Sequence, residues 1–307
     1  MFEMGFEILQ APFIQNALLA GSLIAVAAAI VGYFLIVRGL TFTGHALPNI
    51  GFAGAAGAVL LGVDPVFGLF AFTIAAGVGI ALLGKEVRER DISIGILMTF
   101  ALGLGLLFLS LYSGYAQRVY SILFGTILGI SQTDVLITAL MSLIVLIVLF
   151  VLFRPLLFSS LDPDVAEARG VPVRLLAVLF LVLVAVTISM AIQVVGALLV
   201  FTLLIGPAAT AIRIFHRPLW AIGCSVVLGL CYTWLGIVLA ALQGDWPVSF
   251  FIATISFAIY LPVRLLSPLW LGNRSRKQTA RATETAAQLE AVTANEAATT
   301  MQEATRS

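Results

Sequence analysis

His45 and Asn49 are two polar side chains set four residues apart in an otherwise apolar stretch, TGHALPNIGFAG at 43–54. Residues at i and i+4 of a helix lie on one face, so both side chains would meet the same surroundings. Ionisable and strongly polar groups are costly inside a membrane and usually face a cavity or pathway there. Neutral imidazole is also the commonest transition-metal ligand. The pair therefore indicates a metal-contacting path; the alternative is that His45 only caps its helix at the membrane surface.

The rest of the chain offers no residue set for catalysis. GIALLGK at 79–85 matches the start of a phosphate-binding loop, but Glu86 stands where a Ser or Thr must hold magnesium. The only histidines are His45 and His216, and no Gly-x-Ser-x-Gly turn occurs. We therefore predict no enzyme activity and no permanently bound cofactor. Any ATP hydrolysis would come from a separate chain.

Two charged segments are candidates for contacts with a partner protein. In the first, at 85–91, the candidates are Glu86, Arg88, Arg90 and Asp91. In the second, an Asp-Pro pair favours a turn into a short helix, and a glycine is placed to end that helix. Its candidates are Asp162, Pro163, Asp164, Ala166, Glu167 and Gly170. The alternative for both segments is an ordinary solvated loop.

Composition places these residues in a membrane protein. Of 307 residues, 61% are hydrophobic and only 10% are charged, whereas soluble domains run near half apolar and a quarter charged. Breaking the chain at charges, Pro and Gly gives nine segments long enough to cross a bilayer as helices. They cover 12–37, 44–62, 65–84, 92–112, 133–153, 173–192, 194–214, 219–242 and 247–267. The predicted fold class is all-α, a polytopic membrane bundle of about nine transmembrane helices.

Two further segments differ from these spans. SILFGTILGI at 121–130 is too short to cross alone, and we interpret it as a short re-entrant helix that must be covered by protein. Whether it crosses or re-enters stays open. Residues 273–307 contain no aromatic residue and are rich in Ala, Thr and Glu, which is typical of disorder. We therefore predict a transmembrane domain at 1–272 and a disordered polar cytoplasmic tail at 273–307.

Positive charges predict an orientation, because cytoplasmic loops are enriched in Lys and Arg. With nine crossings and the N-terminus outside, only Arg118 of the 16 Lys and Arg residues lies outside. The outer loops carry Asp64 and Asp245 instead. We expect a multi-pass protein of the cytoplasmic (inner) membrane with its C-terminus in the cytoplasm. The formal net charge of +1 gives no reason to expect a nucleic acid partner.

An ordered series of motifs resembles the zinc/manganese/iron permease family of ABC importers over roughly residues 12–267. The motifs are TGHALPNIGFAG at 43–54, RDISIGIL at 90–97, LFGTILGIS at 123–131, DPDVAEARGV at 162–171, VVGALLVFTLLIGPAATA at 194–211 and GDWPVSF at 244–250. The resemblance implies a permease subunit of an ATP-driven importer for a divalent transition metal. It also implies a homodimer of permease chains, cytoplasmic ATPases docked at 85–91 and 162–171, and an extracytoplasmic metal-binding protein.

The second-span motif departs from the family pattern. Family members commonly carry an Asp and, four residues on, a His that contact the metal; here those positions are His45 and Asn49. The site thereby loses the carboxylate that suits hard ions such as manganese, whereas imidazole suits zinc. We therefore favour zinc over manganese or iron, with two copies of His45 forming half of a tetrahedral site at a dimer axis. What the two replacements do to transport stays open.

Two other functions remain possible from the sequence. A permease for a metal chelate, such as a siderophore or cobalamin, resembles this architecture. A secondary transporter needs no ATPase but requires carboxylates inside the membrane for ion coupling, and Asp134 only reaches the end of a span. The repeated glycines Gly51, Gly54 and Gly57 allow close helix approach in lipid. We expect them to pack within one chain rather than at a dimer seam.

Overall fold

The computed structural model describes residues 11–83, 87–112, 125, 130–243 and 246–266. Within these ranges the chain is helical and has no strand, as expected for an all-α protein. The helices are α1 (Pro12–Val37), α2 (Thr41–Leu60), α3 (Pro65–Leu82), α4 (Val87–Leu111), α5 (Gln132–Leu161), α6 (Pro163–Ala168), α7 (Val173–Val195), α8 (Ala197–Ile214), α9 (Pro218–Gln243) and α10 (Val248–Leu266).

Seven of these helices are long and apolar enough to cross a membrane, namely α1, α3, α4, α5, α7, α9 and α10. The predicted count of nine crossings is therefore not confirmed. Helix α2 is excluded because His45, Asn49 and its glycines lower its hydropathy. Helix α8 has 18 residues and is not among the seven; within it, the stretch Leu199–Ile214 is apolar but shorter than a membrane span.

The chain divides into one compact unit that ends at Tyr260 and a second that covers Leu261–Ser307. In the second unit the structure describes only residues 261–266, which are helical. The domain boundary predicted at residue 272 lies outside the described residues, so the polar tail stays a prediction.

Helices α1 and α7 form the centre of the first unit. In each, 67% of the most apolar stretch is buried, against 17% in α4. Helix α1 packs against α5, α7, α8 and α9, while α7 also contacts α3. Six alanines in α1 leave a thin helix that several neighbours can approach closely. A buried hydroxyl pair, Thr73 and Ser189, joins α3 to α7 with an Oγ1–Oγ distance of 2.7 Å.

Glycines set the closest helix crossing, between α2 and α3. A Cβ built on Gly54 would collide with the carbonyl oxygen of Gly68, and one on Gly68 would collide with that of Gly54. Gly51 faces Leu69 and Thr73 of α3. Gly57 lies against the ring of Phe108 in α4, where a Cβ would stand 3.0 Å from the ring. The expectation that the repeated glycines pack within one chain is confirmed.

Side-chain caps fix where several helices begin. At α5, the Ser131 hydroxyl accepts a hydrogen bond from the Asp134 N–H, and the Asp134 carboxylate accepts one from the Ser131 N–H, which is a complete capping box. Asp64 caps α3 by accepting from the Val66 N–H at 2.9 Å. Asp134, which the sequence places at the end of a predicted span, is thus a helix cap.

The predicted short helix at 121–130 lies outside the described residues except at Gly125 and Ile130. Gly125 has a positive φ of 80°, and a Cβ there would collide with the backbone at Val195 and Gly196. Asn16 of α1 donates from Nδ2 to the Ile130 carbonyl oxygen at 3.2 Å. Both contacts place these two residues against the bundle, and the re-entrant interpretation itself stays a prediction.

Candidate functional site

The predicted path residues lie near the start of α2, one helical turn apart. His45 is exposed on this chain and Asn49 is half-buried, while their neighbours Ala46, Leu47 and Pro48 are buried. The face of α2 that carries both polar side chains therefore points away from the core of its own chain. The structure confirms that they share one face, as the i, i+4 spacing predicts.

The His45 imidazole is bordered by aromatic rings. The ring of Phe201, in α8, lies edge-on with its centroid 5.2 Å from that of the imidazole. Phe42, one turn earlier in α2, lies 6.5 Å away. These rings restrict the imidazole on the protein side and leave its other side exposed. Helices α2 and α8 pack together, and His45 lies at their contact.

Asn49 is held by its amide nitrogen. Nδ2 donates to the His45 carbonyl oxygen at 2.9 Å and lies 3.7 Å from the sulfur of Met98 in α4. Within the described part of the chain, the amide oxygen Oδ1 has no hydrogen-bond partner, so it can act as an acceptor or as a metal ligand. The arrangement offers one imidazole nitrogen and one amide oxygen from each chain.

One chain by itself does not complete a metal centre. Among the described residues, no group of three or more His, Cys, Asp or Glu side chains could hold a metal ion. Structural zinc sites typically have four protein ligands and catalytic zinc sites three. His45 and Asn49 therefore fit a weak, transient contact, or half of a site completed by a second chain.

The segment predicted to dock a partner forms the short helix α6. Asp162 caps it by accepting from the Val165 N–H at 3.0 Å, Pro163 occupies its first turn, and Gly170 follows its end with a φ of 81°. This confirms the short helix predicted from the Asp-Pro and Gly signals. Asp162, Pro163, Asp164, Glu167 and Gly170 are exposed.

Ala166 differs from the other candidates in this segment. It is fully buried, at 0% exposure, and α6 packs against α5 and α7. A buried methyl group cannot touch a partner protein, so Ala166 anchors the helix while its exposed neighbours remain the candidate contacts.

The other charged segment is only partly described. Glu86 lies outside the described residues, and Arg88 falls within α4. Arg90 is half-buried and donates from Nη2 to the Gly39 carbonyl oxygen at 3.1 Å. Asp91 is also half-buried, and its Oδ1 is buried without a hydrogen-bond partner in the described part of the chain. Arg90 and Asp91 are thus packed against the bundle rather than fully solvated.

The two charged segments meet at one cavity of about 790 Å³, which we call the arginine cavity. Its polar lining comes from Arg38, Arg90, Ser159, Ser160, Asp164 and Arg174. Arg38 donates from Nη1 to the hydroxyls of Ser159 and Ser160, at 3.2 and 3.4 Å. Burial lowers the pKa of the Arg38 guanidinium, and the nearby positive charge of Arg90 lowers it further. Arg90 and Asp164 were predicted from the sequence as candidate partner contacts, but the sequence did not predict this cavity.

Three side chains near these sites were not among the residues predicted from the sequence. Phe201 and Met98 reach His45 and Asn49 from distant helices, and Arg38 reaches Ser159 across 121 residues of sequence. Arg38 also lies over the Phe180 ring, 5.5 Å from its centroid. Of the three, only Arg38 stands out in the sequence, as the first basic residue after the first span.

Comparison with known proteins agrees with this architecture. A model of the ABC 3 transport family matches residues 10–267. The manganese transport system membrane protein MntC of Halalkalibacterium halodurans is 28% identical over 281 residues, which is 89% of this chain and 96% of that protein. MntC of Listeria innocua is 33% identical over 212 residues, covering 68% and 75% of the two chains.

A solved structure shares the fold over nearly the same region. PsaBC from Streptococcus pneumoniae, in complex with Fab, matches with a TM-score of 0.76 and 29% identity over 86% of this chain and 95% of the matched chain. The chain is thus a multi-pass membrane permease of an ABC metal importer and not an enzyme, with ATP hydrolysis on a separate subunit. It belongs to the ABC 3 transport family.

Proposed function

We propose that two copies of this chain form the membrane path of an importer for a divalent transition metal, with His45 and Asn49 as path residues. The observation that carries the proposal is the exposure of His45 on a helix that is otherwise buried around it. An imidazole facing lipid would be costly, because lipid cannot satisfy its polar nitrogens. Contact with a second copy, across a water-filled path, removes that cost.

The proposed assembly also includes two partner proteins, one on each side of the membrane. We propose that a cytoplasmic ATPase contacts the exposed side chains of α6, and that an extracytoplasmic metal-binding protein delivers the ion on the opposite side. Helix α6 suits this role because Ala166 and the neighbouring helices hold it rigidly. ATP-driven closure of two ATPases would move the two α6 helices and switch the path between outward and inward access.

We propose manganese as the leading substrate. The relatives MntC are named for manganese transport, and the described residues offer no ligand group that would select zinc as a bound metal. Zinc, which the sequence favours because of the His45 imidazole, is the competing substrate. A path has to release its ion, so a site of two imidazoles and two amide oxygens is compatible with either metal.

The decisive experiment is metal uptake by the chain reconstituted with its ATPase in vesicles. ATP-dependent accumulation of manganese, zinc and iron would be measured by elemental analysis. His45→Ala should lower uptake by at least about tenfold, the effect of losing even a residue that only orients a metal ligand. His216→Ala is the matched control, because His216 is the other histidine and lies exposed between α8 and α9. Unchanged uptake in His45→Ala, at equal reconstitution, would remove His45 from the path.

Two further measurements test the alternative functions, a chelate permease and a secondary transporter. Uptake that an excess of a metal chelate suppresses, but free metal does not, would indicate a chelate permease. Uptake that persists without the ATPase or without ATP would indicate a secondary transporter. Asp134 does not support that second function, since it serves as a helix cap; the half-buried Asp91 near the start of α4 is the carboxylate that such a transporter would use.

The proposed dimer can be tested at the same residue. In a background of Cys224→Ala and Cys231→Ala, His45→Cys should cross-link to its copy with a short bifunctional thiol reagent. Phe13→Cys serves as the control for random collision, because Phe13 is an exposed residue at the start of α1. If the new thiol is fully labelled and only monomer is observed, a dimer axis at His45 is contradicted.

We also propose nine crossings with the N-terminus outside. The support is that the described residues include nine helices of 18 or more residues, α2 and α8 among them. In the same cysteine-free background, Arg118→Cys should react with a membrane-impermeant maleimide added from outside, whereas Arg154→Cys should react only after permeabilisation. The reverse pattern would overturn the orientation.

A further inference from the structure

The arginine cavity holds more positive than negative charge. Three guanidinium groups, from Arg38, Arg90 and Arg174, line it together with one carboxylate, from Asp164. Arginine stays protonated at neutral pH, so the charge of the lining is net positive. The lowered pKa of Arg38 has burial as its first cause and the charge of Arg90 as its second. An anion inside the cavity would relieve that repulsion.

The arginines also have hydrogen-bond donors to spare. A guanidinium carries five N–H donors in a planar fork. In the described part of the chain, hydrogen bonds go from Arg38 to two serine hydroxyls and from Arg90 to one carbonyl oxygen. The face of Phe180 and the two serines fix the Arg38 fork in place. Such fixed forks suit the oxygens of a phosphate group, to which arginine binds in a bidentate manner.

The remaining wall of the cavity is apolar and comes from helix ends. Val37 and Leu82 lie at the ends of α1 and α3, Val173 begins α7, and Leu181 follows two turns later. Charged groups at the ends of membrane-crossing helices stand at the level of the lipid headgroups. The cavity therefore places positive charge at headgroup level beside a surface suited to acyl chains, and its volume is within the range of small-molecule sites.

We propose that the arginine cavity binds the phosphate of an anionic ligand, and that a phospholipid headgroup supplies it. Basic pockets between membrane helices are a known mode of headgroup recognition. A bound headgroup would join α1, α4 and α7 at the point where α6 meets the bundle. An acidic side chain of the ATPase is the competing occupant, but it would leave the apolar wall without a partner.

The test uses the purified permease–ATPase complex, exchanged into detergent with phosphatidylcholine as the only lipid. Phosphatidylglycerol is then titrated, and bound lipid is counted by native mass spectrometry. Arg90→Gln and Arg174→Gln should each weaken phosphatidylglycerol binding about fivefold, the effect of one basic residue near an anionic lipid surface. Arg154→Gln, an exposed arginine outside the cavity lining, should leave binding unchanged. Arg174→Lys should retain much of the binding, because it keeps the charge.

Each arm has an outcome that counts against the proposal. Equal retention of phosphatidylcholine, whose phosphate is neutralised by its choline, would overturn the anionic headgroup as the ligand. Equal binding in the Arg154 and Arg174 variants would overturn the arginine cavity as the site. Binding to the permease alone that the ATPase abolishes would assign the cavity to the ATPase. Millimolar inorganic phosphate that displaces the lipid supports the shared chemistry; phosphate that binds while phosphatidylglycerol does not would overturn the lipid as its source.

Discussion

Gly68→Ala is the substitution that the helix packing predicts to be most informative. A Cβ at this position would stand 2.7 Å from both the Gly54 carbonyl carbon and the Ala58 Cβ, and would collide with the Gly54 carbonyl oxygen. Backbone atoms cannot rotate away as a flexible side chain can. Since carbon atoms pack at about 3.5–4.0 Å, α2 and α3 would have to separate by roughly 1 Å.

That separation sets the expected magnitude. Inserting a methyl group into a packed interior costs about 1–3 kcal/mol, and a gap of about 1 Å forfeits up to half of each neighbouring contact. We therefore expect a loss of about 2 kcal/mol, measured as the free energy of unfolding in a denaturing-detergent titration. Because α2 carries His45 and Asn49, metal uptake should fall as well.

Gly79→Ala, on the same helix, is the matched control. Gly79 is exposed, and a Cβ there would meet no atom within 4 Å. Replacing this glycine should be neutral or stabilise by up to about 1 kcal/mol, because alanine favours helix. Gly54→Ala combined with Gly68→Ala should cost less than the sum of the two, since both widen one crossing. Equal stability of Gly68→Ala and Gly79→Ala would refute the close crossing.

Three further predictions concern a helix cap, a buried hydrogen bond and the C-terminal tail. Asp134→Ala should lose about 1 kcal/mol of unfolding free energy through its capping box, yet keep ATP-dependent uptake; lost uptake at normal stability would show a role in ion coupling. Thr73→Val and Ser189→Ala should each destabilise by about 1 kcal/mol, with clearly less than additive loss in the double variant because they share one hydrogen bond of 2.7 Å. Truncation after residue 272 should leave uptake intact and should leave ATPase binding, measured by co-purification, unchanged, because a disordered tail packs against nothing; impaired uptake would show that the tail takes part in transport.

Short-range sequence patterns predicted most of the helices and several of their boundaries. Long apolar segments predicted the spans, and the Asp-Pro start with Gly170 predicted α6 within a residue or two, because caps and glycine stops act through nearby atoms. The spacing of His45 and Asn49 likewise predicted their common face. The predicted zinc preference rested on the imidazole alone and gained no further ligand from the described residues.

Tertiary neighbours could not be obtained in this way. Nothing in the sequence near Asn49 indicates that Met98 lies beside it, and nothing near Arg38 indicates Ser159. These pairs arise from helix packing, which depends on small residues spread over the whole chain. Ala166 shows the same limit within one segment: its type fits a docking contact, and only the packing of α6 makes it an anchor.

Helix α2 is informative because it is largely buried yet is not among the helices apolar enough to cross a membrane. A helix that faces lipid needs a long apolar stretch. A helix beside a transport path carries polar groups, which lower its hydropathy. Helix α2 compensates through packing: its glycines bring it against α3 and α4, and α8 covers its start. Low hydropathy in a helix held this tightly agrees with the proposed path, which rests on the same two residues, His45 and Asn49.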